Sequence, residues 1–302
     1  MQRLPLPVQG ILWMIITGFL AVCIYGMALH LNKHFGFHPF QIVFFYNLTG
    51  LLFYLPSVWR RHIHLGTTKH RLFLLRGVLE FMGFSLSITG LTMLPMPVHT
   101  SLSFISPLFG SLAAVLILRE QNNMHRWVSL LIGFAGVLIV SRPGAASADI
   151  PLEYVGCVLL AALSFAFCGI TIKKLTATEP TGRIAFYMML VTAIIAAPFA
   201  FQVWKPVDMQ ALPFLLALGG MVAAVQFTVS LAYSKADVTV ILPFNFMNLV
   251  WSSLIAYFVF GQMVDGWTIL GGFIIVVAAV YGLRYAGRTN ISATSRAAVG
   301  GS

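Results

Sequence analysis

Glu80 lies inside the apolar run Leu72 to Met93, with Arg76 four residues before it. A carboxylate so placed has two compatible uses. It can bind a cationic group on a solute or take up a proton as its surroundings change. It can also form an i,i+4 pair with Arg76 that neutralises both charges. A charge at the centre of a membrane helix costs roughly 2.5–3.5 kcal/mol on insertion scales, so either use calls for a physical reason. Glu120 follows Arg119 and precedes Arg126, near the end of another apolar run. There it reads first as an anchor at the membrane surface and second as a gate latch. His99 opens that same run beside Pro97, where an imidazole either senses pH or is simply solvated.

Neutral polar residues supply further candidates. Thr100, Ser103 and Ser106 share one run, Gln226, Thr228, Ser230 and Tyr233 another, and Asn245, Asn248, Trp251, Ser252 and Tyr257 a third. The spacing of Asn245, Asn248 and Ser252 puts them on one helical face, expected to look inward. Asn248 and Gln226 both donate and accept, which suits a zwitterion or a heterocycle. Trp13, Tyr25, Phe84 and Trp251 offer walls for stacking or for a cation. The competing use of such Ser, Thr and Asn groups is to join helices to one another in lipid. Pro107 and Pro243 fall within two of the runs, where proline removes a backbone hydrogen bond and kinks a helix. Such breaks near the midplane of a transporter expose backbone and act as hinges.

The elements that must position these groups are membrane helices. Hydrophobic residues make up 59% of the chain and charged residues 9%, with a mean hydropathy of +0.90, too apolar for a water-soluble domain. About 20 apolar residues cross a hydrocarbon core. Ten such spans are expected: Ile11 to Leu31, Pro39 to Val58, Leu72 to Met93, Val98 to Leu118, Trp127 to Val140, Leu152 to Ile172, Ile184 to Val203, Leu212 to Tyr233, Val238 to Phe260 and Trp267 to Leu283. With the N-terminus inside, 15 of the 18 Lys and Arg lie at cytoplasmic ends, and only Lys33, Arg142 and Lys205 lie outside. Deleting the short fifth span moves every later loop to the other side and leaves a split of 10 against 8, so that span is expected to cross. The expected location is a bacterial inner membrane, multi-pass, with both termini cytoplasmic. The net charge of +10 is thereby assigned to topology rather than to nucleic acid. Arg3 precedes an apolar run too long for a signal peptide, so an uncleaved first helix is expected. Cys23, Cys157 and Cys168 sit in apolar spans as packing residues, and neither a metal site nor a cofactor is expected.

Trp127 and Trp267 each open a Gly-rich span, and the shift of 140 that superposes them also places Leu91 on Leu231. The register slips between these points, since Glu120 is seven residues before its Trp and Gln262 five. Five spans per half is an odd number, so the second copy enters the bilayer reversed. The competing explanation is duplication without a transport role. Inverted repeats otherwise serve to open a midplane site to each side in turn. The expected domains are a first repeat over 10–144, a second over 150–286 and a disordered polar tail over 287–302. Gly133, Gly136, Gly271 and Gly272 fit close packing of the fifth and tenth spans, against each other or against a second subunit, which leaves a homodimer open.

Several motifs resemble a known family. They are Arg76-Gly77, Ser106-Pro107-Leu108, Arg119-Glu120, and Trp127 through Gly133-Phe134-Ala135-Gly136-Val137 to Arg142-Pro143-Gly144. In the second half they are Leu242-Pro243-Phe244, Leu249-Val250-Trp251, Phe260-Gly261-Gln262, and Asp265-Gly266-Trp267-Thr268 followed by Tyr281 and Arg284. Together they resemble EamA-type members of the drug/metabolite transporter superfamily. The resemblance implies an all-α integral membrane protein of ten transmembrane helices, arranged as two inverted five-helix repeats around a central cavity. That cavity would be lined mainly by the first, third, fourth, sixth, eighth and ninth helices. Where the family usually has Glu after Phe-Gly, this chain has Gln262, which weakens any ion-pairing role there.

The expected function is secondary active transport, by alternating access, of a small polar metabolite such as an amino acid derivative or another amine-bearing or aromatic solute. The alternative is an uptake carrier for S-adenosylmethionine or for a vitamin such as riboflavin. An intramembrane enzyme would need a constellation such as HExxH, GxSxG or paired acids, none of which falls in the spans. A channel would need a repeated polar ring. The expected partners are a small-molecule substrate and the lipid bilayer.

Overall fold

A backbone surrounded by hydrocarbon must satisfy its own hydrogen bonds, and helices do so within one segment. The computed structural model describes residues 5–60, 65–94, 96–120, 124–142, 152–260 and 266–299, and no strand occurs among them. The helices are α1 (Leu6–Phe35), α2 (Pro39–Arg60), α3 (His70–Met93), α4 (Met96–Ser103), α5 (Ser106–Leu118), α6 (Met124–Ser141), α7 (Leu152–Thr176), α8 (Thr181–Gln202), α9 (Leu212–Lys235), α10 (Val238–Ile241), α11 (Met247–Phe260) and α12 (Gly266–Val299), with a 3-10 turn at Leu242–Phe246. Proline in the first turn starts α1, α5 and α9, where its missing N–H costs nothing. Gly36, at φ 67°, ends α1 and returns its N–H to the Leu31 carbonyl.

Nine helical stretches among the described residues are long and apolar enough to cross a membrane, and Gly266–Gly282 forms a shorter tenth. The fourth span is α4 with α5, and the ninth runs from α10 through the turn into α11. The bundle consists of two inverted five-helix repeats. The pairing of helices shows the two-fold relation: α1 packs on α9 as α7 packs on α3, while α2 with α8 and α6 with α12 map onto themselves. The second spans are matched in detail. Both α2 and α8 have 22 residues and carry an internal proline, Pro56 and Pro198, 17 residues after their first. Large apolar side chains such as Leu116, Ile194, Phe201 and Phe258 point outward, as a lipid solvent allows.

Lipid tails are as apolar as leucine, so these helices associate through close packing rather than through the hydrophobic effect. Two glycine crossings show it best. A Cβ on Gly271 of α12 would lie 2.6 Å from the Gly136 carbonyl oxygen of α6. A Cβ on Gly219 of α9 would lie 2.7 Å from the Gly50 nitrogen of α2. Of the four glycines expected in the contact of the fifth and tenth spans, Gly136 and Gly271 meet there. Gly133 packs instead on Phe246, and Gly272 faces open space.

Both proline-marked spans are broken. Residues Phe104 and Ile105 separate α4 from α5, just before Pro107, and Pro243 falls in the 3-10 turn. The two breaks touch, with the rings of Phe104 and Phe246 5.7 Å apart. The last helix, α12, continues through Val299. Extending an existing helix avoids the cost of nucleation.

One end of the bundle is basic, and there Glu179 fastens the loop before α3 to α8. Its carboxylate accepts from Thr67 at 2.6 Å and pairs with Arg183. Burial alone would raise its pKa, but the Thr67 and Arg183 hydrogen bonds and the Arg183 and Lys69 charges outweigh burial and hold it below the usual value of 4.5. A carboxyl with a lowered folded-state pKa contributes stability that is complete above its unfolded value and is lost as pH falls through its folded one. Glu179→Gln is therefore expected to flatten the loss of detergent-solubilised stability below about pH 4.5, measured as thermal midpoint against pH. At the glycine crossing, Gly271→Ala is expected to cost about 1–3 kcal/mol in unfolding experiments. Gly272→Ala is expected to be neutral or slightly stabilising.

Candidate functional site

One turn of α3 separates Arg76 from Glu80, and both side chains point into the bundle, 6% and 3% exposed. Arg76 Nη1 donates to Glu80 Oε2 at 2.7 Å. From the opposite repeat, Gln226 Nε2 on α9 donates to Glu80 Oε1 at 2.5 Å. Both carboxylate oxygens are thereby engaged, whereas the buried Arg76 Nε has no partner. Tyr46 of α2, Cys168 of α7 and Tyr233 of α9 lie within electrostatic reach of the pair. The sequence reading of an i,i+4 pair holds, and Gln226 joins it as a third member.

Phe84 comes one turn after Glu80 and carries an aromatic wall. Tyr25 of α1 stacks on it with centroids 5.3 Å apart and planes 18° apart. Tyr46 lies at 5.3 Å, and Phe165 of α7 meets its edge at 5.4 Å. A buried anion, a buried cation and a planar aromatic surface therefore adjoin at the centre of the bundle, contributed by both repeats. Such a set can take a zwitterionic head and a flat ring together.

Farther along α3, Ser87 receives His99. The His99 Nε2–H donates to the Ser87 carbonyl at 3.0 Å, with the Ser87 and Ser103 hydroxyls 3.3 and 3.4 Å from the same nitrogen. Ser87 also lies within reach of the Tyr25 hydroxyl. His99 is 7% exposed, which corrects the expectation of a solvated imidazole. The α4 helix turns it back onto α3, where a serine and a carbonyl replace water. Ser106 is the first residue of α5 and half-buried, and Pro107 follows it, buried.

Four other expected residues make contacts elsewhere. Asn248 and Trp251 face α1, where a Cβ on Gly18 would overlap the Asn248 amide oxygen, and Trp251 meets Phe19 edge-on at 5.5 Å. Asn248 Oδ1 and Trp251 Nε1 are buried without partners. Asn245 sits in the 3-10 turn rather than on α11, which interrupts the single face that its spacing implied. A turn set by proline breaks the 3.6-residue period. Trp13, half-buried, packs against the apolar cluster that includes Ile11, Phe73, Ile170 and Ile241.

At the basic end a polar network joins the repeats. Glu120 accepts from the Val238 N–H at 2.8 Å, the Thr239 N–H at 3.0 Å and the Thr239 hydroxyl at 2.9 Å, capping the start of α10. Arg126 donates to Thr239 at 2.7 Å and stands 3.8 Å from Asp237. Lys173 binds the carbonyls of Tyr233 and Ala236, at 3.2 and 2.7 Å, and lies 3.6 Å from Asp237. The α9–α10 joint is thus gripped from α5, α6 and α7. Asp237, at the N-cap position before an apolar run, was the available sequence signal. The roles of Ser87 and Lys173 had no local signal, because each partner is far away in sequence. Gln262 falls outside the described residues, as does the side chain of Pro97.

Comparison with known proteins gives one consistent picture. The pattern of the EamA-like transporter family matches residues 12–142 and 153–284. The S-adenosylmethionine uptake transporter of Rickettsia prowazekii (strain Madrid E) is 32% identical over 254 residues, covering 83% of this chain and 85% of that protein. The riboflavin transporter of Vibrio cholerae serotype O1 is 28% identical over 281 residues, covering 91% and 93%. The pseudopaline exporter CntI of Pseudomonas aeruginosa is 25% identical over 241 residues, covering 80% and 84%. A crystal structure superposes with a TM-score of 0.75 at 16% identity, over 89% of this chain and 98% of its own, which supports the fold.

Breaking a buried ion pair leaves the surviving charge uncompensated, whereas replacing both partners by neutral groups does not. Glu80→Gln alone is expected to lower unfolding free energy in micelles by about 3–5 kcal/mol. The double variant Arg76→Met with Glu80→Gln is expected to recover most of that loss.

Proposed function

Because the chain belongs to the EamA-like transporter family, we propose that it is an uptake carrier for S-adenosylmethionine, working by alternating access in the bacterial inner membrane with both termini in the cytoplasm. The observation that carries this reading is the buried Arg76–Glu80–Gln226 cluster beside the Tyr25–Phe84 stack. This solute brings a carboxylate, an ammonium, a sulfonium and a planar adenine. Arg76 receives the carboxylate, and Glu80 a cationic centre. The ring slides against the aromatic wall. Opening the protein's own ion pair around the zwitterionic head exchanges one neutral pairing for another, and the remaining sulfonium is left to the aromatic wall as a cation–π contact. The relatives carrying that name support the choice.

The grip on the α9–α10 joint acts as the cytoplasmic gate. While Glu120 caps α10 and Lys173 holds the end of α9, the cluster is shut off from the basic end. Release lets the segments around Pro107 and Pro243 swing against each other, and the cluster opens inward. The solute's net positive charge adds a driving force, about 2.3 kcal/mol per elementary charge per 100 mV of membrane potential.

A second reading, riboflavin, rests on the aromatic group of Tyr25, Tyr46, Phe84 and Phe165, which suits a flat, uncharged ring system without help from Glu80. Proteoliposomes separate the two. Labelled S-adenosylmethionine is expected to enter saturably, faster when unlabelled solute is inside, and Glu80→Gln is expected to reduce this exchange about tenfold or more. Riboflavin exchange that is indifferent to Glu80→Gln would establish the second reading. Non-saturable entry without acceleration would show a channel.

A further inference from the structure

On the outer surface of α3 and α8, at the basic end, the protein has a groove of about 330 Å³ lined by His70, Arg71, Phe73, Leu74, Tyr187 and Val191. Its walls are fixed. The Phe73 and Tyr187 rings lie 4.8 Å apart, and the Tyr187 hydroxyl donates to the Leu65 carbonyl at 2.7 Å. Gly77 brings α3 against Val191 at the end of the groove farther into the bilayer. Leu74 is 55% exposed.

Charge is confined to the other end. His70 and Arg71 open α3 and are exposed, and neither makes an ion pair or side-chain hydrogen bond among the described residues. Lys69 precedes them, also exposed, and no acidic residue lies in the first turn. The neighbouring carboxylate, Glu179, is already committed to Thr67 and Arg183. The groove is therefore apolar where the helices face hydrocarbon and cationic where they meet the headgroup layer.

We propose that this groove is a binding site for an anionic phospholipid, one acyl chain lying along Leu74, Tyr187 and Val191 over the buried Phe73, and the phosphate against Arg71 and His70. A zwitterionic lipid fills the apolar part equally well but carries an ammonium that the basic rim repels. The bound lipid braces the helix whose next two turns hold Arg76 and Glu80. The site is independent of which solute is carried.

The full-length protein in neutral detergent micelles is titrated with dioleoyl-phosphatidylglycerol, with dioleoyl-phosphatidylcholine and with inorganic phosphate. Thermal midpoint and native mass spectra are read in each case. Phosphatidylglycerol is expected to raise the midpoint and to survive as a bound adduct, while the other two do neither. Removing rim charge with Arg71→Ala is expected to weaken the apparent affinity about fivefold. Lys33→Ala at the opposite end is expected to leave it unchanged. Equal effects of the two lipids would mean an unselective apolar groove, and an effect of phosphate alone would mean a soluble-anion site. Either result overturns the proposal, as does unchanged phosphatidylglycerol binding by the rim variant.

Discussion

A carboxylate and a guanidinium 2.7 Å apart, each nearly sealed from solvent, impose a condition on every helix around them. Neither charge is tolerable alone in a medium where ionic desolvation costs several kcal/mol, so anything that separates them must supply replacements of both signs. Gln226 satisfies the remaining carboxylate oxygen, and it does so from the other repeat. The pair thus serves as a joint between the halves of the bundle as well as a polar feature of α3. A solute presenting a carboxylate and a cationic group satisfies the condition, and one presenting a single unbalanced charge does not.

The inverted repeat explains why movement around that pair is affordable. Elements related by the two-fold relation make alternative versions of the same contacts, as α1 on α9 and α7 on α3 illustrate. The broken spans touch each other through Phe104 and Phe246, so the places where backbone geometry can change lie together rather than at opposite rims. The symmetry is imperfect where it matters for direction. Glu120 caps α10 with an acidic side chain at one end, while the repeat-related position in the sequence is Gln262. Charge-assisted hydrogen bonds are roughly twice as strong as neutral ones, so Glu120 holds the start of α10 firmly at the basic end.

Much of this was legible from residue order because lipid simplifies the reading: span length, the split of Lys and Arg and the odd number of spans per half are properties of the chain alone. The Arg76–Glu80 pair was legible for the same reason, since a four-residue spacing on a helix is local. The match of Pro56 with Pro198 was available as well, and it marks the repeat more cleanly than the two tryptophans do. What escaped the sequence was contact at long range. His99 looked like a surface residue until α4 folded back onto Ser87, and Lys173 looked like one more cytoplasmic cation until it met the carbonyls of α9. Asn245 shows the opposite error, in which helical periodicity was carried through a turn that proline had tightened.

The central claim is that the ammonium group of the solute replaces Arg76 as the partner of Glu80. The most direct test measures affinity by calorimetry on purified protein, comparing S-adenosylmethionine with its analogue lacking the amino group, in wild type and in Glu80→Gln. If Glu80 holds the ammonium, removing the amine weakens binding to the wild type but costs little further in the variant, because the same interaction has been deleted twice. If removing the amine costs as much in Glu80→Gln as in the wild type, Glu80 does not meet the ammonium and the account fails.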